Sequence, residues 1–95
     1  MPYGRCVIYS FDGDTQEVTE KARAGILPIF KQQPGFLAYG TIIQDGKIVS
    51  VSAWNSESDA RAADDAARQW VSENMNAKVL ESHVGEYAWL EFAQH

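Results

Sequence analysis

The chain has very little of what disulfide frameworks and metal centres are built from. Its 95 residues contain one cysteine, Cys6, and two histidines, His83 and His95. One thiol cannot form an internal disulfide, and two histidines are too few for a multi-histidine metal centre. We therefore expect no disulfide scaffold and no metal.

Long apolar runs and an excess of basic residues are also missing. No stretch approaches the roughly 18 apolar residues that cross a membrane, and residues 1–5 lack the apolar segment of a signal peptide. Thirteen acidic against eight basic residues give a net charge of −5, the wrong sign for contact with phosphate backbones. We expect a cytoplasmic protein that binds neither nucleic acid nor membranes. The length predicts a single domain over residues 1–95.

Aromatic residues, by contrast, make up 12% of the chain, and they begin in a strand-like segment. Residues 5–11 form a β-branched and aromatic run that predicts a strand. A helix follows, with Asp14 or Thr15 as its N-cap. Pro28 removes one backbone donor, so we expect a kink or a restart there, and Pro34-Gly35 ends the helix.

A β-hairpin is the clearest local prediction. Residues 36–44 and 47–55 flank Asp45-Gly46, a dipeptide typical of two-residue turns. A tight turn pairs Tyr39 with Ser52 and Leu37 with Trp54. The other side of the hairpin then carries small residues, and we expect the helices to cover it; its members are Ala38, Gly40, Val51 and Ala53.

A second helix is predicted from Ser56 to about Met75, with an alanine-rich inner stripe. Residues 76–86 are interpreted as a connection and residues 87–92 as the last strand. The order is strand–helix–strand twice over. It predicts an α+β, ferredoxin-like βαββαβ fold with a four-stranded antiparallel sheet and both helices on one face.

The second face of that sheet indicates a partner. With the small residues placed under the helices, the uncovered side of the hairpin carries Leu37, Tyr39, Thr41, Ile43, Ile48, Ser50, Ser52 and Trp54. A face with so much apolar area is seldom left in water. We therefore expect a homodimer formed through the open sheet face, in the manner of a dimeric α/β barrel.

The region from residue 26 to residue 75 resembles the antibiotic-biosynthesis-monooxygenase-like proteins of the dimeric α/β-barrel superfamily. The resemblance rests on Leu27-Pro28 with Gln33-Pro34-Gly35-Phe36, on the strand 49–54 that ends in Trp54, and on the helix segment 66–71. It implies cofactor-independent oxidation of a small aromatic or quinol-type substrate. The alternative is a non-catalytic dimeric module that binds a small apolar ligand.

Haem-degrading members of the same group are a third branch, and the sequence departs from them. Several relatives carry a histidine on the second helix, which serves there as a haem ligand. This helix has none, and its polar positions include Asp64, Asp65 and Gln69. The Asp64-Asp65 pair is interpreted as a solvated helix face. A haem site on this helix is therefore not expected.

Several side chains are candidates for contact with a small aromatic ligand. Trp54 and Trp70 could stack on a ring or simply fill the core, and Ser52 could bind substrate or pair across strands. The hydroxyls of Tyr9 and Tyr39 could orient a substrate oxygen. His83 is the default general base because its charge changes near neutral pH, although its polar surroundings suggest a solvated loop.

Overall fold

Four strands and two helices follow one another in the predicted order in the computed structural model, which describes residues 2–91 and 93. They are β1 (Tyr3–Phe11), α1 (Thr15–Gln32), β2 (Phe36–Gln44), β3 (Lys47–Trp54), α2 (Glu57–Asn74) and β4 (Ala77–Glu86). The strands form one antiparallel sheet in the order β2-β3-β1-β4. This confirms the ferredoxin-like βαββαβ plan. Among the described residues, no helix combines the length and the apolar character needed to span a membrane.

Both helices begin at the caps that the sequence predicts. A carboxylate oxygen of Asp14 accepts a hydrogen bond from the backbone N–H of Glu17 at 3.0 Å. The Ser56 hydroxyl accepts one from the N–H of Asp59 at 3.2 Å. Each bond satisfies a donor that a helix start would otherwise leave unpaired. Helix α1 runs on through Pro28, so no second helix restarts there.

The hairpin register is confirmed along most of its length. Tyr39 lies opposite Ser52, and Gln44 opposite Lys47 on either side of the turn. The predicted pairing of Leu37 with Trp54 is wrong, because the register shifts between Phe36 and Ala38. Leu37 therefore bulges out, and Phe36 lies opposite Trp54 with the ring centroids 5.5 Å apart.

The prediction of which hairpin face lies under the helices is wrong, and the two faces are exchanged. The helices cover the side of the sheet that carries the large and hydroxylated residues, among them Trp54, Ser52, Ser50 and Ile48. The alanine stripe of α2, which is Ala60, Ala63 and Ala67, packs against this side and is fully buried. The small side chains of the helix leave room for the large side chains of the sheet, so the two layers can pack closely together. The open face therefore carries the small and aliphatic residues Gly4, Cys6, Ile8, Ala38, Gly40, Ile42, Val49, Val51 and Ala53.

The last strand also differs from the prediction. Residues 77–86, interpreted as a connection, are β4, and they pair with β1 along its whole length. The strand is mostly exposed, because it lies at the edge of the sheet and is held by backbone hydrogen bonds to β1. Tyr87 follows it and packs its ring against Gly4. Of the predicted strand 87–92, Phe92 lies outside the described residues.

A close contact between the helices is built on Gly25. The indole ring of Trp70 on α2 fills the space where a side chain on Gly25 would stand. The absence of a side chain there lets α1 and α2 approach each other. A glycine inside a helix costs about 1 kcal/mol relative to alanine, so this contact opposes the local helix preference.

We predict that Gly25→Ala lowers the free energy of unfolding by about 1–2 kcal/mol, although alanine is the better helix former. The added methyl group must displace the Trp70 ring, and overpacking costs more than helix propensity returns. Urea denaturation followed by circular dichroism measures the change. In the background of Trp70→Leu the same substitution should cost much less. A stabilised Gly25→Ala protein would contradict this account of the contact.

Candidate functional site

An arginine is buried between the sheet and α2. Arg5, near the start of β1, is 1% exposed and alternates in phase with the buried residues Val7 and Tyr9. Its Nε donates to a carboxylate oxygen of Asp64 on α2 at 2.7 Å. Burying a charge in an apolar layer is costly unless the charge is paired and hydrogen-bonded, and Asp64 supplies both requirements.

The remaining guanidinium nitrogens of Arg5 contact hydroxyl groups on the sheet. One donates to the phenol oxygen of Tyr9 at 3.1 Å, and the other lies 3.5 Å from the hydroxyl of Ser50. The guanidinium carbon lies 5.7 Å from the centre of the Phe30 ring on α1. Because Tyr9 accepts this bond, its own proton stays available to a further acceptor. The Arg5 network thus places a polarised phenol in the core.

Asp64 is shared between two arginines. Its second carboxylate oxygen accepts from Nε of Arg68, one turn along α2, at 2.8 Å, and Arg68 also donates to Ser82 on β4 at 2.8 Å. Burial disfavours the charged carboxylate, but the hydrogen bonds and charges of Arg5 and Arg68 outweigh burial and lower the pKa of Asp64. Asp64 is therefore a partly buried anion held between two arginines, and its interpretation as part of a solvated helix face is wrong, although Asp65 is exposed.

Tyr9 lines a narrow cavity, the inner crevice, whose volume is about 20 Å³. Nearly all of its lining surface is apolar, and its lining residues are Tyr9, Ala22, Ile26, Tyr39, Ile48, Ser50, Val71, Met75 and Ala77. A cavity that holds one water needs roughly 10–15 Å³. The inner crevice therefore has room for a group about the size of a water molecule.

A wider cavity, the outer cleft, lies beside the crevice and has a volume of about 250 Å³. Helix α1 contributes Thr19, Ala22, Arg23 and Leu27, and the sheet contributes Tyr39, Gly40, Thr41 and Ile48. Three residues, Ala22, Tyr39 and Ile48, line both spaces. The two cavities are therefore neighbours, and Tyr39 lines both.

Similarity to solved structures agrees with this architecture. MupZ from Pseudomonas fluorescens superposes with a TM-score of 0.73 at 13% identity, over 87% of this chain and 69% of that one. SnoaB from Streptomyces nogalater, described as a cofactor-independent oxygenase, gives 0.68 at 17% identity, over 94% and 95% of the two chains. A provisionally named antibiotic biosynthesis monooxygenase from Nitrosomonas europaea gives 0.62 at 20% identity, over 92% of each chain.

The chain has the fold of the antibiotic-biosynthesis-monooxygenase-like proteins. No protein-family model matches the sequence, and neither does any curated protein. At these identities the likeness confirms the fold that the resemblance implied. Any activity of this chain has to be argued from its own side chains.

The structure brings some of the predicted site residues together and separates others. Tyr9 and Tyr39 meet at the inner crevice. Trp54 is fully buried against Phe30 and Phe36, and its indole N–H donates to the Ser52 hydroxyl at 3.0 Å. Trp54 and Ser52 thus line neither the crevice nor the outer cleft, and Trp54 fills the core.

Two further candidates lie away from these cavities. Trp70 is half-buried against Gly25 at the contact between the helices. His83 is on β4, not in a loop, and it lies opposite Cys6 on the open face, with its side chain 67% exposed and 3.4 Å from Glu81. Opposite residues of antiparallel strands share a face, so the sheet separates His83 from Tyr9.

The sequence reasoning missed Arg5 and its partner Asp64. The sequence did contain a signal for Arg5. It stands two residues before Val7, so it shares one face of the strand with the buried residues Val7, Tyr9 and Phe11. Asp64 falls next to the buried Ala63 and one turn before Arg68. Neither position reveals by itself that the two side chains meet across 59 residues of sequence.

We predict that Asp64→Asn lowers the free energy of unfolding by about 2–4 kcal/mol at pH 7, because it leaves the Arg5 charge buried without a counter-charge. The folded state depresses the pKa of Asp64. The stabilisation is therefore complete above the unfolded pKa, near 4, and is lost as the pH falls through the folded pKa.

Urea denaturation at a series of pH values measures this effect. The gap between wild type and Asp64→Asn should narrow progressively below about pH 4. The control is Asp65→Asn, which removes the same charge from the exposed neighbouring position. Equal losses in the two variants would show that the buried pair has no special role.

Proposed function

We propose that this chain belongs functionally with the monooxygenase-like proteins and oxidises a small aromatic or quinol-type substrate with O₂, without a cofactor. The observation that carries the proposal is Tyr9, a residue that lines a nearly apolar crevice and whose hydroxyl oxygen accepts a hydrogen bond from the buried Arg5. Fixed donors in a water-poor site stabilise charge that develops on a substrate oxygen. SnoaB, a cofactor-independent oxygenase of the same fold, supports the proposal.

The proposed reaction needs no external reductant. A phenolic ring loses its hydroxyl proton to water and, as the electron-rich anion, reacts with O₂. A carbon–oxygen bond forms at a ring carbon, the carbon–hydrogen bond there breaks, and the second oxygen atom leaves as water. The sum is phenol plus O₂ giving quinone plus water, with all four electrons supplied by the substrate. Tyr9 donates a hydrogen bond to the substrate oxygen, and Tyr39 orients the ring.

The predicted measurement is oxygen uptake with a panel of quinols and phenols. Tyr9→Phe should reduce kcat by about a hundredfold, the cost of removing one oxyanion donor, while the fold is retained. Tyr87→Phe is the control, since its hydroxyl lies 3.4 Å from a backbone carbonyl and outside both cavities. If every substrate is consumed no faster than in buffer, the oxygenase proposal is wrong.

A non-catalytic binding module is the second candidate. It is favoured by the position of His83, which leaves the inner crevice without that residue as a base. The two candidates differ in one respect that the same assay reports. A binding module would hold the aromatic compounds in the outer cleft and consume no O₂ with any of them.

We also propose that the open sheet face binds a second copy of the chain. Its central residues Ile8, Val49 and Val51 are aliphatic, and Ile42 beside them is 58% exposed. The small side chains at Ala38 and Gly40 leave this part of the face low, as a second sheet packed against it requires, while Tyr87 covers Gly4 at the other end. Of the residues predicted to lie at the interface, Ile48, Ser50, Ser52 and Trp54 are instead buried under the helices, but the face itself is still apolar.

We predict that Val51→Glu converts a dimer into a monomer, because it places a charge in the middle of the open face. Sedimentation equilibrium at micromolar concentration measures the mass. Ala62→Glu is the matched control, since it adds the same charge on the exposed side of α2. A wild-type protein that sediments as a monomer would contradict the dimer directly.

A further inference from the structure

Arg23 differs from every other arginine in the described part of the chain. Arg5 and Arg68 pair with Asp64, and Arg61 pairs with Glu57 one turn away on α2. Arg23 has no carboxylate within ion-pair distance among the described residues, although Glu20 lies three residues before it on α1. Its side chain is exposed, so what distinguishes Arg23 is its place on the wall of a cleft.

Arg23 lies on the wall of the outer cleft. Thr19, Arg23 and Leu27 recur every four residues, so they form one stripe along α1, and all three line the outer cleft. The facing wall is Tyr39, Thr41 and Ile48. Arg23 therefore lies between Thr19 and Leu27 on one wall, and the facing wall includes the aromatic ring of Tyr39 and the aliphatic side chain of Ile48.

A cationic residue and a phenolic residue thus line two neighbouring cavities. Arg23 lines the outer cleft, Tyr9 lines the inner crevice, and Tyr39 and Ile48 line both. The guanidinium has a fork of donors that matches a carboxylate, whereas the phenol is suited to one oxygen atom. The arrangement fits a ligand with an anionic group at one end and a hydroxyl or ketone oxygen at the other.

The two volumes limit the size of this ligand. A cleft of about 250 Å³ is below the range of roughly 300–1,000 Å³ that holds drug-sized ligands. It suits a compound of one or two rings. The inner crevice, at about 20 Å³, admits a single oxygen substituent and excludes a further ring.

We infer that the outer cleft binds an aromatic carboxylate of one or two rings, with its carboxylate on Arg23 and a ring hydroxyl directed to Tyr9. This inference rests on the proposed function and names the substrate class for it. The carboxylate is a handle that takes no part in the oxidation. Its contribution is to orient the ring, so that the hydroxyl end enters the crevice.

The test uses 6-hydroxy-2-naphthoate and its uncharged isostere 6-hydroxy-2-naphthamide as probes, with affinities measured by isothermal titration calorimetry on the full chain. Wild type should bind the carboxylate about fivefold to tenfold more tightly than the amide. Arg23→Gln should lose that preference and bind the amide as wild type does. Arg23→Lys should keep part of it, and added salt should weaken carboxylate binding alone.

The matched control is Arg61→Gln, which removes an exposed arginine from the far side of α2 and should change neither affinity. The inference is overturned if Arg23→Gln binds the carboxylate as tightly as wild type, or if wild type binds both probes equally. In either case Tyr9→Phe still reports on the proposed function, through the oxygen uptake of the amide. If neither probe binds and no phenol is oxidised, the inference and the proposed function fail together.

Discussion

The ion pair between Arg5 and Asp64 is the constraint around which the layer between sheet and helices is arranged. A guanidinium that is 1% exposed must find a carboxylate, and its remaining donors must find oxygens. Asp64 on α2 meets the first need, and Tyr9 and Ser50 on the sheet meet the second. Because these partners lie on β1, β3 and α2, the pair fixes how the helix sits over the strands.

The same carboxylate links this interior to the surface. Arg68 binds the second oxygen of Asp64 and reaches Ser82 on β4, so a continuous line of hydrogen bonds runs from Tyr9 to the edge strand. This line gives a physical reason for the short alanine side chains of α2. Ala60, Ala63 and Ala67 let the helix approach closely enough for Asp64 to reach a side chain that stands on the sheet.

Local patterns were sufficient to predict the order of the elements, but the faces depended on contacts that no local pattern records. Asp14, Ser56 and Asp45-Gly46 act within a few residues, so the caps and the hairpin register follow from the sequence. The side of the hairpin that the helices cover is decided by packing, since the small alanines of α2 leave room for the large side chain of Trp54. This fit depends on the helix and the sheet together and cannot be read from either segment alone. Strand β4 was not predicted because its polar and apolar residues do not alternate regularly. Backbone hydrogen bonds to β1 hold it in the sheet.

The candidate site was predicted less fully than the fold, and the buried charge explains the difference. Tyr9 and Tyr39 were recognised as phenols with a possible role, but nothing in their own neighbourhoods showed that Arg5 stands behind one of them. An apolar pair of similar volume could replace Arg5 and Asp64 with little loss of stability, because desolvation offsets much of what a buried ion pair contributes. Packing alone therefore does not account for the pair. An apolar pair could not donate a hydrogen bond to the Tyr9 oxygen, as Arg5 does. This hydrogen bond connects the core of the fold with the chemistry proposed for the crevice.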